Sequence, residues 1–219
     1  TSKLEVYQAK SAALRIEIQL VKVVSASEES VTMQRDLDLQ DEQLASSAHN
    51  LNAIMMALHS YHNSAGHFPT AYAGWGFDRE AKEWYRHRRH LSWRVLLLPF
   101  LGEKELFDRF RLDQPWDGEH NKKLISEMPD VYRAPGGKAG EGKTNYLGII
   151  GLDAALSPKK PTTIVDIVDG TVQTMMIVEA SDDAAAVWTR PRDISADSEN
   201  PMDALVGLRE GGFLAVFAD

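Results

Sequence analysis

The stretch "DEQLASSAHNLNAIMMALHSYHNSAGHFP", from Asp41 to Pro69, decides the fold because it has the clearest hydrophobic periodicity in the chain. Its apolar residues recur at three- and four-residue intervals: Leu44, Ala48, Leu51, Ile54, Met55, Leu58 and Tyr61. This spacing predicts an amphipathic helix of about six turns with one buried face. Asp41 suits the N-cap position. Gly66 suits the position just after the helix, and Pro69 follows where a helix cannot continue.

The residues before this helix alternate between apolar and polar. The first run contains Leu14, Ile16, Ile18 and Leu20, and the second contains Val31, Met33, Leu37 and Leu39. A period of two is typical of half-buried strands, and the polar segment "SASEES" between the runs is suited to a turn. We therefore expect a β-hairpin from about Ala12 to Gln40. A helix over the first run is the alternative, since Ala12 and Ala13 precede it.

The residues after the helix predict short elements. "AYAGWGFDREAKEWYRHRRH" predicts a long loop or a short hairpin, and Ser92 can cap a helix that Pro99 bends or ends. "NKKLI" indicates a short helix and "PDVYRAP" an extended segment. Four later runs have strand length: "TNYLGII", "TMMIVEA", "AAVWT" and "GFLAVFA".

These elements predict an α+β fold, with one long helix on an antiparallel sheet and an additional N-terminal β-hairpin. We expect residues 1–43 to form an N-terminal extension, belonging to the same sheet or to a preceding domain. Residues 44–219 would form the main domain.

The composition and charge of the chain exclude several kinds of site and partner. The chain has 219 residues, 43% hydrophobic and 26% charged, with a formal net charge of −8. Nucleic acid is not an expected partner, because phosphate binding needs clustered Lys and Arg and the one dense basic cluster, Arg86–His90, is short. The absence of cysteine excludes disulfides and thiolate metal sites. No apolar run reaches the roughly 18 residues that a membrane-spanning helix requires.

Three histidines are the weak candidates for a metal site. His59 and His62 are three residues apart, so their rings can be neighbours on one helix face, and His67 lies beyond the helix end. Zinc sites use about three or four ligands, usually including a carboxylate or a third His. We predict packing and capping roles for these residues. A metal-dependent enzyme that uses all three is the alternative.

The segment "GKAGEGKT", from Gly137 to Thr144, formally matches the phosphate-loop pattern G-x-x-x-x-G-K-[ST]. The following "NYLGIIG" is typical of a strand, however, and a phosphate loop needs a helix N-terminus at that point. The sequence therefore favours a flexible loop over nucleotide binding.

Acidic residues in two stretches are the candidates for Ca²⁺, the one cofactor considered, because carboxylate oxygens are its usual ligands. Solvated loops are the favoured interpretation of these stretches, and we expect no cofactor. The residues are Asp166, Asp169, Asp182, Asp183, Asp193, Asp197 and Asp203. No Ser-His-Asp or Cys-His arrangement can be singled out, so we expect a chain that is not an enzyme.

An aromatic-rich stretch supplies the candidate binding residues for a small solute or a glycan. They are Tyr72, Trp75, Phe77, Trp84 and Tyr85.

The order of these motifs resembles one protein family. "NLNAIMMALHSYHNSAGHFPTAY" is followed by "LSWRVLLLPFLGEKELFDRF", "VYRAPGG", "TNYLGIIG" and "IVDGTVQTMMIVEA". From about Ser46 to Asp219 the chain resembles the DUF1559 family, also called SBP_bac_10, which is abundant in planctomycete bacteria. The resemblance implies a pilin-like fold related to type II secretion pseudopilins. It also implies a location outside the cytoplasm, in the cell envelope, and protein subunits of an envelope or secretion-like assembly as partners.

The family has no established enzymatic activity, so the resemblance implies no catalytic residues. The chain departs from the family pattern in two places. The alternating residues up to Gln40 stand where members usually have a hydrophobic membrane segment, and Ala134 stands where many members have a Cys. The expected function is a non-catalytic pilin-like structural or interaction module, with a solute- or glycan-binding module as the alternative.

Overall fold

The computed structural model of the chain describes residues 4–10, 17–23, 33–78, 83–151, 153–158, 160–209 and 211–219. For residues 4–10, 17–23, 33–38, 74–78 and 83–90 it describes the backbone only. The predicted α+β fold is confirmed, with one long helix and a mainly antiparallel sheet.

The long helix, α1, runs from Met33 to Ala65. It therefore begins well before Asp41, and the prediction of a strand through Met33, Leu37 and Leu39 was wrong. Met33, Leu37 and Leu44 are spaced by four and seven residues, which is also helical spacing, so the helix extends without interruption into this region. At the other end, Gly66 adopts φ +82° and its N–H donates to the His62 carbonyl at 2.7 Å, which confirms the predicted helix end.

Within the described residues, ten strands accompany α1. They are β1 Leu4–Lys10, β2 Glu17–Val23, β3 Tyr72–Asp78, β4 Glu83–Ser92, β5 Lys143–Thr144, β6 Tyr146–Ile150, β7 Met175–Glu179, β8 Ala186–Val187, β9 Ile194–Ser195 and β10 Gly212–Phe217. Six of them form the main sheet in the order β1-β2-β10-β7-β6-β9, antiparallel except for the β6–β9 pair. The four apolar runs after Thr144 thus become strands, as predicted.

The N-terminal hairpin is present, but it consists of β1 and β2 and ends at Val23. Of the two predicted strands, only the first overlaps it, because the second belongs to α1. Strand β2 pairs with β10, which places the hairpin in the same sheet as the rest of the chain. The division at residues 43 and 44 stays a prediction, and α1 runs through it.

Short elements connect α1 to the sheet. Strands β3 and β4 pair with each other, which selects the hairpin over the long loop. Helix α2 spans Trp93–Leu97 and is capped by Ser92, whose hydroxyl accepts from the Arg94 N–H as expected. Helix α3 spans Lys104–Asp108, and 3-10 helices occupy Leu98–Leu101, Asn121–Glu127 and Asp130–Tyr132. The last of these replaces the extended segment predicted for "PDVYRAP".

Strands β6, β7 and β10 of the main sheet are buried on both faces over most of their length, which explains why they are continuous apolar runs. In β10, Leu214 and Val216 contact the core that contains Leu51, Ile54 and Leu58 of α1. Phe213, Ala215 and Phe217 belong to a second cluster on the opposite face, with Leu147, Val178, Ile194 and Leu205. In the part of the chain that the structure describes, no helix is both long and apolar enough to cross a membrane.

Candidate functional site

Two of the three histidines, His59 and His62, pack against Phe68 at the C-terminal end of α1. The His59 and His62 rings lie 5.7 and 4.7 Å from the Phe68 ring, centroid to centroid. His62 Nε2 accepts a hydrogen bond from the Ile164 N–H at 3.4 Å. His67 Nδ1 lies 2.8 Å from the Phe68 carbonyl, so this nitrogen carries the proton and donates. The structure thus places His59 and His62 against the Phe68 ring, and His67 against the Tyr61 ring and the Phe68 carbonyl.

The environment of His59 favours its neutral form. Burial lowers the pKa of His59, and the neighbouring His62 acts in the same direction. A hydrogen bond to the backbone of Asp219 and the Asp219 charge oppose this effect. Among the described residues, no group of three or more His, Cys, Asp or Glu side chains is arranged to hold a metal ion.

A buried ion pair joins helix α2 to the loop before β9. Arg94 Nη2 donates to Asp193 Oδ1 at 2.7 Å, and both side chains are fully buried. Arg94 also donates to the Tyr146 carbonyl from Nε and Nη2, at 3.0 and 2.8 Å, and to the Ser92 hydroxyl from Nη1 at 2.7 Å. Nearly every donor of the guanidinium therefore has a protein acceptor, as a buried charge requires.

The hydrogen bonds that Asp193 accepts are all made to one of its two oxygens, Oδ1. Besides Arg94, the Gly148 N–H at 2.7 Å and Trp93 Nε1 at 3.2 Å donate to Oδ1, whereas the buried Oδ2 has no described partner. Burial raises the pKa of Asp193, and Arg94 with the other donors works against that rise. The carboxylate of this candidate Ca²⁺ ligand therefore makes its contacts within the protein.

A second buried polar cluster joins α1 to β7. Glu179 is fully buried and accepts from Ser47 and from Arg209, whose Nη2 lies 2.7 Å from Oε1. The Ser47 hydroxyl also lies 2.6 Å from the Tyr146 hydroxyl. Burial raises the pKa of Tyr146 to about 12. The side chains of Ser47, Glu179 and Tyr146 lie together here without access to solvent. Their hydrogen bonds therefore hold the helix to the sheet.

Two of the remaining acidic candidates have hydrogen-bond partners of their own. Asp182 accepts the Lys138 N–H at 2.9 and 3.0 Å and Asn145 Nδ2 at 3.0 Å. Asp166 accepts from the backbone and hydroxyl of Thr163 in a capping box, and these bonds lower the Asp166 pKa. The interpretation of Asp169, Asp183, Asp197 and Asp203 as residues of solvated loops stays a prediction.

The glycine-rich segment that resembled a phosphate loop borders a cavity of about 450 Å³. Residues 133–141 line it together with Lys143 and Asn145. Lys143 and Thr144 form β5, and the chain then enters β6 rather than a helix. The geometry of a Walker phosphate loop is therefore absent from this described segment, as the sequence indicated.

An exposed apolar stretch lies beside the end of α1. We call Ile164–Val172 the valine segment. Val165 and Val168 are 87% and 89% exposed, and Val172 is 55% exposed. The segment is nevertheless held in place, because the Ala218 N–H donates to the carbonyls of Thr171 and Thr174 at 3.1 and 2.9 Å. The chain thus presents apolar side chains to solvent on a hydrogen-bonded frame.

The aromatic candidates lie on the β3–β4 hairpin. Tyr72 is buried at its base. The register pairs Phe77 with Trp84 and Trp75 with Arg86, while Tyr85 lies opposite Gly76. Cross-strand partners share a face of the ribbon, so the backbone brings Phe77 and Trp84 together. The structure describes the side chain of Tyr72, and only the backbone of Trp75, Phe77, Trp84 and Tyr85.

Sequence reasoning missed several residues of the buried clusters. Arg94 and Asp193 are separated by 99 positions, and Ser47 and Glu179 by 132. No local pattern connects such pairs. The one available signal was a charged residue inside an apolar run, such as Arg94 within "SWRVLLL" or Glu179 at the end of "TMMIVE".

Comparison with known proteins gives one match. The model of a family described as a protein of unknown function (DUF1559), labelled SBP_bac_10, matches residues 45–135. The matched segment contains the buried half of α1, the β3–β4 hairpin, α2 and the 3-10 helices up to Tyr132. No curated protein and no solved structure matches the chain.

Proposed function

With the DUF1559 assignment confirmed over residues 45–135 as the premise, we propose that this chain is a non-catalytic structural subunit of a cell-envelope assembly. It binds a second copy of itself through the valine segment. The observation that carries the proposal is the exposure of Val165 and Val168, at 87% and 89%, on a hydrogen-bonded frame. Several exposed apolar side chains within one short segment are a feature of protein–protein interfaces.

Helix α1 supports an assembly role from the other end of the molecule. From Leu39 to Ser46 it has no buried side chain, and Leu39 is 53% exposed. Among the side chains of α1 that the structure describes, Ser47 is the first buried one, and Leu44 before it packs against the core. The exposed turn from Leu39 to Glu42 is free to pack on a neighbouring subunit. This arrangement is the one expected of a pilin- or pseudopilin-like subunit outside the cytoplasm.

The use of the buried polar groups supports a non-catalytic role. Arg94, Asp193, Glu179 and Ser47 each have a protein partner, and their side chains are shielded from solvent. A catalytic acid, base or nucleophile must reach its substrate. These four side chains instead hold α1 and α2 to the sheet.

The test is self-association of the purified chain, measured by sedimentation velocity over a range of concentrations. We expect reversible association that the double variant Val165→Ser/Val168→Ser weakens at least tenfold. Burying a valine is worth about 1.5–3 kcal/mol, and about 1.4 kcal/mol corresponds to tenfold in affinity. Leu112→Ser is the control, since Leu112 is also partly exposed, at 40%, and lies outside the segment. A wild-type chain that stays monomeric, or a double variant that associates like the wild type, contradicts the proposal.

A second candidate function is glycan binding by the β3–β4 hairpin. The register that pairs Phe77 with Trp84 and Trp75 with Arg86 favours it, because aromatic faces and an adjacent cation suit a sugar ring with an acidic substituent. Isothermal titration with an acidic oligosaccharide tests this function. It requires saturable binding that Trp84→Ala abolishes and Leu112→Ser leaves unchanged.

A further inference from the structure

We infer that the valine segment of one copy binds the β3–β4 hairpin of a second copy, so that the chains associate head to tail. The inference rests on the proposed self-association and deepens it, because it names the surface that receives the valine segment. It also adds a consequence that the proposed function does not have, namely association that continues beyond a dimer.

The valine segment combines exposed apolar side chains with negative charge. Val165 and Val168 are almost fully exposed, and each is followed directly by an exposed aspartate, Asp166 or Asp169. Lys160 acts on the charge of Asp166, whereas Asp169 has no ion-pair partner among the described residues. Two valine segments packed on each other would bring the aspartates of both copies together, and like charges that meet in an interface oppose association. The receiving surface is therefore a different one, with apolar and cationic residues.

The densest cationic cluster of the chain lies in strand β4. Arg86, Arg88 and Arg89 fall within residues 86–90, a stretch that contains no Asp or Glu. The whole chain carries a net charge of −8, so two copies repel each other unless surfaces of opposite charge meet. The β3–β4 hairpin is therefore the part of a second copy whose charge complements the valine segment.

The register of the hairpin adds an apolar face to this charge. Positions two apart in a strand share a face, and so do cross-strand partners. Asp78 pairs with Glu83, and this acidic pair falls on one face of the ribbon. The opposite face has three aromatic residues and one cation: Trp75, Phe77, Trp84 and Arg86. Aromatic residues and arginine are enriched in protein–protein interfaces, so this face suits exposed valines with adjacent carboxylates.

A bulge places more positive charge beside this face. The register shifts within the hairpin, so that Gly74 alone lies opposite residues 87–90. Two further arginines of the cluster therefore lie in a bulge directly after the pair of Trp75 and Arg86. Bulges bend a strand and are common next to functional sites.

Within one copy, the hairpin and the valine segment lead away from each other. The Phe68 N–H donates to the Thr162 carbonyl at 2.8 Å, and the Ala71 N–H donates to the Ser157 carbonyl at 3.2 Å, so the two stretches run antiparallel. The chain enters the hairpin beyond Ala71, whereas the valine segment follows Thr162, and the two leave this contact at opposite ends. A contact between unlike surfaces repeats from copy to copy, which gives rings or open filaments.

Sedimentation velocity of two variants, alone and mixed, tests the inference. Arg86→Glu/Arg88→Glu changes the hairpin and keeps the valine segment, while Val165→Ser/Val168→Ser does the reverse. We expect each variant alone to associate at least tenfold more weakly than the wild type. A 1:1 mixture should form a dimer of near wild-type affinity, since one intact hairpin then meets one intact valine segment. That dimer should not grow, whereas wild-type oligomers should exceed a dimer as the concentration rises.

The matched control is Lys122→Glu/Lys123→Glu, which makes the same change in net charge at two exposed lysines of the 3-10 helix Asn121–Glu127. It should associate more strongly than the hairpin variant and close to the wild type. Unchanged melting temperatures verify that the variants are folded. If charge reversal prevents folding of the hairpin variant, Arg86→Gln/Arg88→Gln replaces it and should weaken association in the same direction.

Failure of the inference and failure of the proposed function give different results. A wild-type chain that stays monomeric overturns both. A hairpin variant that associates like the wild type, or a mixture that forms no dimer, overturns the inference and leaves association through the valine segment standing. If the hairpin variant associates normally but loses binding of an acidic oligosaccharide, the hairpin binds the glycan rather than a second copy, and the inference is again overturned.

Discussion

Arg94 and Asp193 form an ion pair at 2.7 Å with both side chains fully buried, although 99 positions separate them in the chain. Arg94 lies in helix α2, and Asp193 precedes strand β9 at the edge of the main sheet. The same guanidinium donates to the Tyr146 carbonyl in β6. One side chain therefore connects the helical segment that follows the β3–β4 hairpin to two strands of the sheet.

Breaking this pair should destabilise the protein strongly. Removing one partner of a buried ion pair leaves an uncompensated charge, which costs about 3–5 kcal/mol. We expect Asp193→Leu to lower the free energy of unfolding by that amount in urea denaturation. The double variant Arg94→Met/Asp193→Leu should recover most of the loss, because two apolar groups replace two charges. The exposed pair Lys104–Asp108 is the control, and Lys104→Ala should cost less than about 1 kcal/mol. Equal losses at the two sites would contradict this prediction.

Local sequence patterns predicted much of the fold, because they reflect interactions between residues that are close together in the chain. The apolar stripe of α1 and the Gly66 stop depend on side chains a few residues apart, and the sequence displays that spacing directly. The same rule produced the error at Met33–Leu39, since a few apolar residues there fit both a period of two and a helical repeat. The helix prevailed because it continues the long periodic stretch that follows.

The candidate sites were less predictable because they depend on distant contacts. In the sequence, Asp193 is one of several acidic residues in a polar stretch. It becomes the partner of Arg94 only because α2 packs against β6 and β9. The aromatic residues around Trp75 indicated a binding surface, and the backbone register now places Phe77 opposite Trp84. The exposure of Val165 was not predictable, since a short apolar run in sequence does not reveal whether it faces the core.

Two glycines of the glycine-rich segment should respond differently to substitution. A Cβ at Gly142 would lie 2.5 Å from Ile125 Cγ2 and 3.0 Å from the Ile125 carbonyl oxygen, whereas a Cβ at Gly140 meets nothing within 4 Å. Both glycines have positive φ, so substitution of either by Ala costs roughly 1–2 kcal/mol in backbone strain. Gly142→Ala should cost more than Gly140→Ala in urea denaturation, because only Gly142 adds a steric clash. Equal costs would show that Ile125 moves aside freely.

Stability should fall in mild acid because of His59. Burial lowers the His59 pKa in the folded state, so the unfolded state takes up the proton first as the pH falls. The contribution of neutral His59 is fully present above the unfolded pKa of about 6.5 and is lost as the pH falls through the lower folded pKa. We expect the melting temperature to drop between pH 7 and pH 5 in the wild type. The drop should be smaller in His59→Gln, and an identical pH profile in both proteins would contradict this assignment.

The buried tyrosines should make the protein sensitive to alkali. Burial raises the pKa of Tyr146 to about 12, and burial also raises the pKa values of Tyr132 and Tyr61. An unfolded tyrosine ionises near pKa 10. From that point the unfolded state loses protons that the folded state keeps, and stability falls as the pH rises toward the folded pKa of Tyr146.

Absorbance at 295 nm during an alkaline titration tests this prediction, with circular dichroism recorded in parallel. We expect the ionisation of these tyrosines to coincide with the loss of secondary structure rather than to precede it. Tyr146→Phe should remove part of the late absorbance change. If every tyrosine ionises near pH 10 while the circular dichroism stays native, Tyr146 and Tyr132 are accessible to solvent and the buried cluster around Glu179 is wrong.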